Sequence, residues 1–222
     1  MTGAALAILQ REWLLTRQRG AAWMQPLVFF AVVITAFVLG TEPGASWLNA
    51  AAPALVWVAL LLALIIGSER AFRDDARSGF LQQMIRSPAP LPLLMLAKLA
   101  ALWLLVAVPL LLAAPLGMAA LDMSARAMLS CWLALWLGSP ALAAIAGLGA
   151  ALTASLPRAG ILLPLCVLPL CLPVIIFGSG VARSADAGLD SAGALYFVAS
   201  ISLLCLCGLP FACSAAAKLQ GP

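Results

Sequence analysis

The sequence predicts an all-α, polytopic membrane protein, and three observations support this fold class. Of its 222 residues, 65% are hydrophobic and 9% are charged, whereas a soluble domain carries about a quarter charged residues. The mean hydropathy is +1.12. Apolar runs long enough for the roughly 20 residues that cross a bilayer recur along the chain. No long polar stretch remains, so we expect a single membrane domain.

Residues 1–20, MTGAALAILQREWLLTRQRG, predict an amphipathic helix. Leu6, Leu9 and Trp13 recur at helical spacing and give the helix an apolar stripe. Its arginines lie elsewhere on the helix surface. This pattern is typical of an interfacial helix that lies flat on the membrane before the first span. We expect an uncleaved N-terminus on the cytoplasmic face.

The apolar runs predict six spans. They cover about residues 21–40, 48–67, 93–116, 128–155, 159–178 and 193–217; each is long enough to cross a bilayer, and the fourth is longer than needed. Gly138 and Pro140 predict a break within the fourth span, and Pro164, Pro169 and Pro173 predict a kinked or interrupted fifth span.

Short polar stretches separate these runs. A tight turn is expected at residues 157–158 and a polar loop at 181–191. Lys98 lies one turn inside the third span, from where its ammonium is expected to snorkel to the headgroups.

The distribution of lysine and arginine predicts that both termini face the cytoplasm. With these six spans, the side that carries the N-terminus holds ten of the twelve basic residues. The opposite side holds Arg126 and Arg183. Positive residues accumulate in cytoplasmic loops, so the ten-to-two ratio sets the orientation.

Several kinds of chemistry lack support in the sequence. The chain has no histidine, which argues against Ser/His/Asp catalysis and histidine metal sites. It contains no G-x-x-x-x-G-K-[ST] phosphate loop. The six cysteines fall in apolar runs without C-x-x-C spacing and are expected to pack as small side chains. No predicted span has an ionisable residue near its centre, so the driving force for any transport is expected from another polypeptide.

The stretch from Ser68 to Pro90, SERAFRDDARSGFLQQMIRSPAP, interrupts the apolar pattern. It holds seven of the twenty charged residues. Glu69 with Arg73, and Arg70 with Asp74, are i,i+4 pairs that favour a short helix. The residues themselves leave two interpretations open: a solvated cytoplasmic loop, or a helix that docks in a groove of a partner ATPase with Phe72 or Phe80 as the apolar anchor.

This stretch resembles the cytoplasmic loop of the CcmB family, the membrane subunits of the haem exporter ABC complex in bacterial cytochrome c maturation. The similarity extends over nearly the whole chain. The matching residues in and after the loop are Glu69, Arg70, Phe72, Arg73, Asp74, Asp75, Gly79, Leu81, Gln83, Pro88, Pro90, Leu91, Pro92, Ala97 and Lys98. Further matches include Pro53 and Trp57 in the second span, Gly138 and Pro140 in the fourth, and Pro169 and Pro173 in the fifth.

The resemblance implies a six-helix permease of the ABC-2 type without an ATPase site of its own. It implies a separate ATPase subunit, CcmA, the membrane proteins CcmC and CcmD, the periplasmic haem chaperone CcmE, and a permease dimer. Haem is then the cargo of the complex, ATP is used by the partner, and this chain is expected to bind no cofactor. The implied coupling segment is residues 68–90, with the contact residues Glu69, Arg70, Phe72, Arg73, Asp74, Asp75, Gly79, Phe80, Leu81 and Gln83.

Three functions remain open at this point. The chain is a permease subunit for haem export or chaperone release, an ABC-2 permease for a lipid, glycan or drug, or a scaffold that transports nothing. Because no imidazole is available as a haem ligand, mechanical coupling is favoured over tight haem binding by this subunit.

Overall fold

The described part of the chain folds into helices joined by short turns. The computed structural model describes residues 2–18, 24–42, 46–154 and 159–219. In chain order the elements are α1 (Thr2–Gln18), α2 (Gln25–Leu39), α3 (Ser46–Arg77), α4 (Phe80–Arg86), α5 (Leu91–Leu102), a π-helical turn (Trp103–Ala107), α6 (Val108–Ala120), α7 (Ala125–Thr153), α8 (Ala159–Asp186) and α9 (Ala192–Leu219).

Five of these helices are long and apolar enough to cross a membrane. They are α3, the continuous stretch from α5 to α6, α7, α8 and α9. The all-helical fold class is therefore confirmed. The remaining apolar helix, α2, has 15 residues and is about 22 Å long at 1.5 Å per residue. Residues 19–23, where the first span is predicted to begin, lie outside the described chain, so the count of six spans stays a prediction.

Residues 68–77 of the charged stretch continue the helix of the second span and do not form a separate short helix. Helix α3 runs for 32 residues from Ser46 to Arg77 without interruption. Residues 68–77 contain neither glycine nor proline, and their alanines, arginines and glutamate are good helix formers. The chain turns only at Gly79, whose φ of 72° is the left-handed conformation that glycine adopts without strain.

Helix α7 is unbroken, so the interruption expected at Gly138 and Pro140 is wrong. Most of its buried residues are small, and all the residues from Ala141 to Gly147 are buried. A Cβ added at Gly147 would lie 2.3 Å from Leu99 Cδ2 of α5, and one at Gly149 would lie 2.4 Å from Val167 Cγ2 of α8. Small residues thus let neighbouring helices approach α7 closely, and this packing holds the helix together around its proline.

Helix α8 also continues through its three prolines, so it is not interrupted. It extends to Asp186, which shortens the polar loop expected at 181–191 to residues 187–191. At this end of the bundle the Ser124 hydroxyl donates a hydrogen bond of 2.5 Å to Asp186 Oδ1. The turn expected at residues 157–158 lies outside the described residues.

The third span contains a π-helical turn that the sequence analysis does not predict. Between Trp103 and Ala107 the helix is wound more loosely before it continues as α6. The indole of Trp103 donates to Ser139 Oγ at 2.9 Å, and that of Trp132 donates to the Leu111 carbonyl at 2.9 Å. Both bonds join the third span to α7, and they give the two indole N–H groups acceptors that lipid does not offer.

Trp57 of α3 is the largest fully buried side chain of the core. It fills a space that two glycines leave open. A Cβ at Gly138 of α7 would lie 2.5 Å from its Cη2 atom, and one at Gly178 of α8 would lie 2.2 Å from its Cζ2 atom. The indole therefore joins α3, α7 and α8 along a surface that tolerates no added methyl group.

We predict that Gly178→Ala lowers the free energy of unfolding by about 1–3 kcal/mol, because the new methyl group forces the Trp57 ring out of its packed position. Gly180→Ala in the same helix is the matched control, since no atom lies within 4 Å of an added Cβ there. Reversible unfolding in mixed micelles, followed by tryptophan fluorescence, measures both. Equal stability of the two variants would contradict this account of the packing.

Candidate functional site

The ten residues implied as ATPase contacts surround the turn between α3 and α4. Gly79 and Gln83 are exposed, whereas Phe72, Asp75 and Leu81 are buried within the chain. The other five, Glu69, Arg70, Arg73, Asp74 and Phe80, are partly exposed. Phe72 has no exposed surface, so of the two anchors considered above, Phe80 is the one that reaches the surface here.

Local chemistry shapes this segment. The amide of Ser78 donates to the Asp74 carbonyl at 2.9 Å at the end of α3, and Gly79 then reverses the chain. Helix α4 ends at Arg86, and the following Ser87 is extended, as expected before Pro88. The predicted i,i+4 ion pair between Glu69 and Arg73 forms on α3. The segment is therefore a helix end, a tight turn and a seven-residue helix.

Four charged side chains from three helices meet behind this segment and form the charge cluster: Arg11 and Glu12 of α1, Asp75 of α3 and Lys98 of α5. Arg11 Nη1 lies 2.8 Å from Glu12 Oε1 and 3.0 Å from Asp75 Oδ1. Lys98 Nζ lies 3.1 Å from Glu12 Oε1 and 2.5 Å from Asp75 Oδ2. Each cation thus contacts both carboxylates.

Three of the four members of the charge cluster are buried, and Arg11 is partly exposed. Glu12, Asp75 and Lys98 are 6%, 1% and 2% exposed. Two positive and two negative groups make its formal charge zero, which is how charges persist away from water. The expectation that Lys98 snorkels to the headgroups is therefore wrong, because its ammonium contacts two carboxylates within the protein.

Two aromatic rings from residues 68–90 lie against the cations of the charge cluster. The Arg11 guanidinium carbon lies 3.5 Å from the centre of the Phe80 ring of α4, and Lys98 Nζ lies 4.9 Å from the centre of the Phe72 ring. Both distances are within the range of cation–π attraction. Arg11 consequently links α1 to both helices that flank the turn at Gly79.

A cavity of about 60 Å³ lies beside the charge cluster, between α1, α2, α3 and the third span. Its polar lining comes from Glu12, Thr16, Gln25, Arg70 and Lys98, and its apolar lining includes Pro26 and Val106. This volume has room for a few water molecules, and the lining would offer them several polar partners.

The site offers no familiar catalytic arrangement. Among the described residues, no three or more Cys, Asp or Glu side chains come close enough together to hold a metal ion. The charged groups of the cluster are engaged with one another across three helices. Such an arrangement fixes the helices relative to one another, which suits the transmission of movement.

Asp75 is among the site residues singled out from the sequence, whereas the other members of the charge cluster, Arg11, Glu12 and Lys98, are not. Glu12 is the one acidic residue among the first twenty, where the other charged residues are arginines, and Lys98 lies in an apolar run. An ionisable residue inside a span implies a partner. That rule predicts a pair for Lys98, although it does not identify Glu12 and Asp75, which are 86 and 23 positions away along the chain.

These features define a multi-pass, α-helical membrane protein with a charged segment fastened to one end of its helix bundle. The chain belongs to the CcmB protein family, which it matches over residues 3–220.

Individual relatives cover the chain almost completely. It is 42% identical over 220 residues to heme exporter protein B of Pseudomonas aeruginosa, with 99% of each chain covered. It is 37% identical over 215 residues to heme exporter protein B of Haemophilus influenzae, with 97% of each covered. The protein of that name from Escherichia coli K12 is 36% identical over 213 residues, which cover 96% of this chain and 97% of the relative. The family resemblance inferred from the FRDD segment is therefore confirmed.

We predict that Lys98→Met lowers the free energy of unfolding by about 3–5 kcal/mol, because it leaves two buried carboxylates facing one arginine. Adding Glu12→Gln removes the surplus negative charge and should recover part of the loss, with a coupling of about 0.5–3 kcal/mol.

Lys218→Met is the control for this prediction, because Lys218 is an exposed lysine at the end of α9. It should change stability by no more than about 0.5 kcal/mol. Unfolding in mixed micelles measures all three variants. A Lys98→Met protein as stable as the Lys218→Met protein would show that the charge cluster contributes little.

Proposed function

We propose that this chain is the membrane permease subunit of an ABC transporter complex that serves haem export, or release of haem-loaded chaperone, in c-type cytochrome biogenesis. The observation that carries the proposal is the near full-length match to proteins named heme exporter protein B. The protein is placed in the bacterial inner membrane. It has no ATPase site of its own, in keeping with the missing phosphate loop.

In this proposal a separate ATPase subunit, CcmA, docks on residues 68–90. The segment presents Gly79, Gln83 and part of Phe80 at the surface, while Phe72 and Asp75 are held from behind. A displacement of this surface turn by the ATPase would pass to the bundle, because the end of α3 is held by contacts with α1 and α5 and does not flex separately. The proposed partners also include CcmC, CcmD, the periplasmic chaperone CcmE and a second copy of the permease.

The ABC-2 topology with six spans and cytoplasmic termini belongs to the same proposal. Helix α2, although short, serves as the first span, since bilayers thin locally around short spans. Helix α1 lies at the cytoplasmic interface with Leu6, Trp13 and Leu14 exposed towards the lipid. Arg11 and Asp75 are in contact, which supports placing the N-terminal helix and the coupling segment on the same side.

We predict that Arg73→Glu lowers association with the ATPase, or stimulation of its activity, while the chain still inserts. The variant removes a surface cation and places two carboxylates against each other at Glu69. The swapped variant Glu69→Arg/Arg73→Glu restores the ion pair within α3 but exchanges the two positions.

Co-purification with the ATPase and its hydrolysis rate distinguish the possible roles of this pair. If the swap stays defective, the two residues contact the partner directly, whereas recovery means that they only stabilise α3. Normal association and stimulation in the single variant would contradict the assignment of these residues to coupling.

The substrate is tested by phenotype. Deletion of the gene should abolish all c-type cytochromes while other haem proteins are retained, and the chain should restore them on re-expression. A permease for a lipid, glycan or drug would leave c-type cytochromes intact. A scaffold would support haem-loaded chaperone release equally well with a catalytically inactive ATPase, so release with and without ATP hydrolysis tests that alternative.

A further inference from the structure

Asp75 lies where the coupling segment meets the rest of the bundle. Its neighbours Asp74 and Glu69 are partly exposed, whereas Asp75 is 1% exposed and its two oxygens contact different helices. Oδ1 is 3.0 Å from Arg11 of α1, and Oδ2 is 2.5 Å from Lys98 of α5. A displacement of this end of α3 therefore acts on α1 and α5 at once.

The contact with Lys98 opens a second route into the membrane. Along α3 a displacement passes directly into the second span, because the helix is continuous from Ser46 to Arg77. Through Lys98 it also passes into α5, which continues through the π-helical turn into α6. An ion pair in a poorly hydrated site resists separation more strongly than one in water. The Asp75–Lys98 contact therefore transmits a displacement from α3 to α5.

We infer that Arg11, Glu12 and Lys98 are positioning residues for coupling, which make α1, the end of α3 and the start of α5 move as one unit when the ATPase acts on the segment. Glu12 closes the unit, since its Oε1 atom contacts both Arg11 and Lys98. This inference rests on the proposed function. It adds that the N-terminal helix α1 moves with the segment and takes part in coupling.

The cavity next to the charge cluster fits this role. Glu12 and Lys98 both line it, so water can solvate them on one side if their contacts lengthen during movement. The other charged group in the lining is Arg70, from the same stretch of α3 as Asp75.

The decisive variant removes the ionic contacts between Lys98 of α5 and the two carboxylates, and it leaves no charge unbalanced. In Glu12→Gln/Lys98→Met the Arg11–Asp75 pair remains and the net charge of the site stays zero. The matched control, Glu42→Gln/Lys218→Met, makes the same two changes at exposed positions outside the charge cluster. Both are compared with the wild-type chain in membranes that contain the ATPase subunit, by the affinity of association and the stimulated hydrolysis rate.

We expect the double variant to bind the ATPase within about two-fold of wild type and to lose stimulation by about five-fold or more, the usual lower range of coupling between distant sites. The control pair should match wild type in both measurements. Lys98→Arg, which retains the charge, should keep most of the stimulation. If the double variant does not insert, this conservative variant and Glu12→Gln alone carry the comparison.

Stimulation of the double variant equal to that of the control would overturn the inference and leave the proposed function intact. A parallel loss of binding and stimulation would also overturn it, because the charge cluster would then only maintain the docking surface. A wild-type chain that neither binds nor stimulates the ATPase would overturn the proposed function itself. The wild-type measurement therefore tests the proposed function, and the comparison of the double variant with the control tests the inference.

Discussion

The structure depends on the pairing of buried charge at the end of the helix bundle that carries α1. A lysine inside an apolar span is unfavourable unless an anion meets it, and two carboxylates near it are unfavourable unless a second cation is present. Arg11, Glu12, Asp75 and Lys98 satisfy both conditions by contacting one another. The positions of α1, the end of α3 and the start of α5 follow from that requirement, and with them the placement of the turn at Gly79.

Away from the charge cluster, shape complementarity holds the bundle together. Lipid offers no hydrophobic driving force between helices, so close packing of small residues takes its place. Helix α7 supplies those residues along most of its length. Trp57 fills the space against Gly138 and Gly178. The bundle thus combines a tightly packed centre with an electrostatically fastened end, and the proposed coupling segment lies at the fastened end.

Much of the fold could be predicted from composition and from the lengths of the apolar runs, because bilayer thickness constrains them. The continuity of α7 and α8 through their glycine and proline residues could not be predicted in this way. Gly138, Pro140 and the prolines of α8 are breakers in isolation, yet neighbouring helices hold these segments continuous. The helix of the second span continues past residue 67 for a related reason: polarity changes there, but helix propensity does not.

The candidate site divides in the same way. The charged stretch is visible as an exception to an apolar pattern, and the glutamate–arginine spacing on α3 predicts one ion pair correctly. The contacts of Lys98 join residues that are far apart in the sequence, and no periodicity reports such a contact. The amino-acid sequence alone therefore indicates that Lys98 needs an acidic partner, but it does not identify that partner.

The order of the charged residues along the chain has a consequence for biogenesis. Both carboxylates that neutralise Lys98 lie N-terminal to it, at positions 12 and 75. A ribosome therefore completes Glu12 and Asp75 before the third span enters the bilayer. Pairing of the lysine therefore does not depend on any helix that is made after the third span.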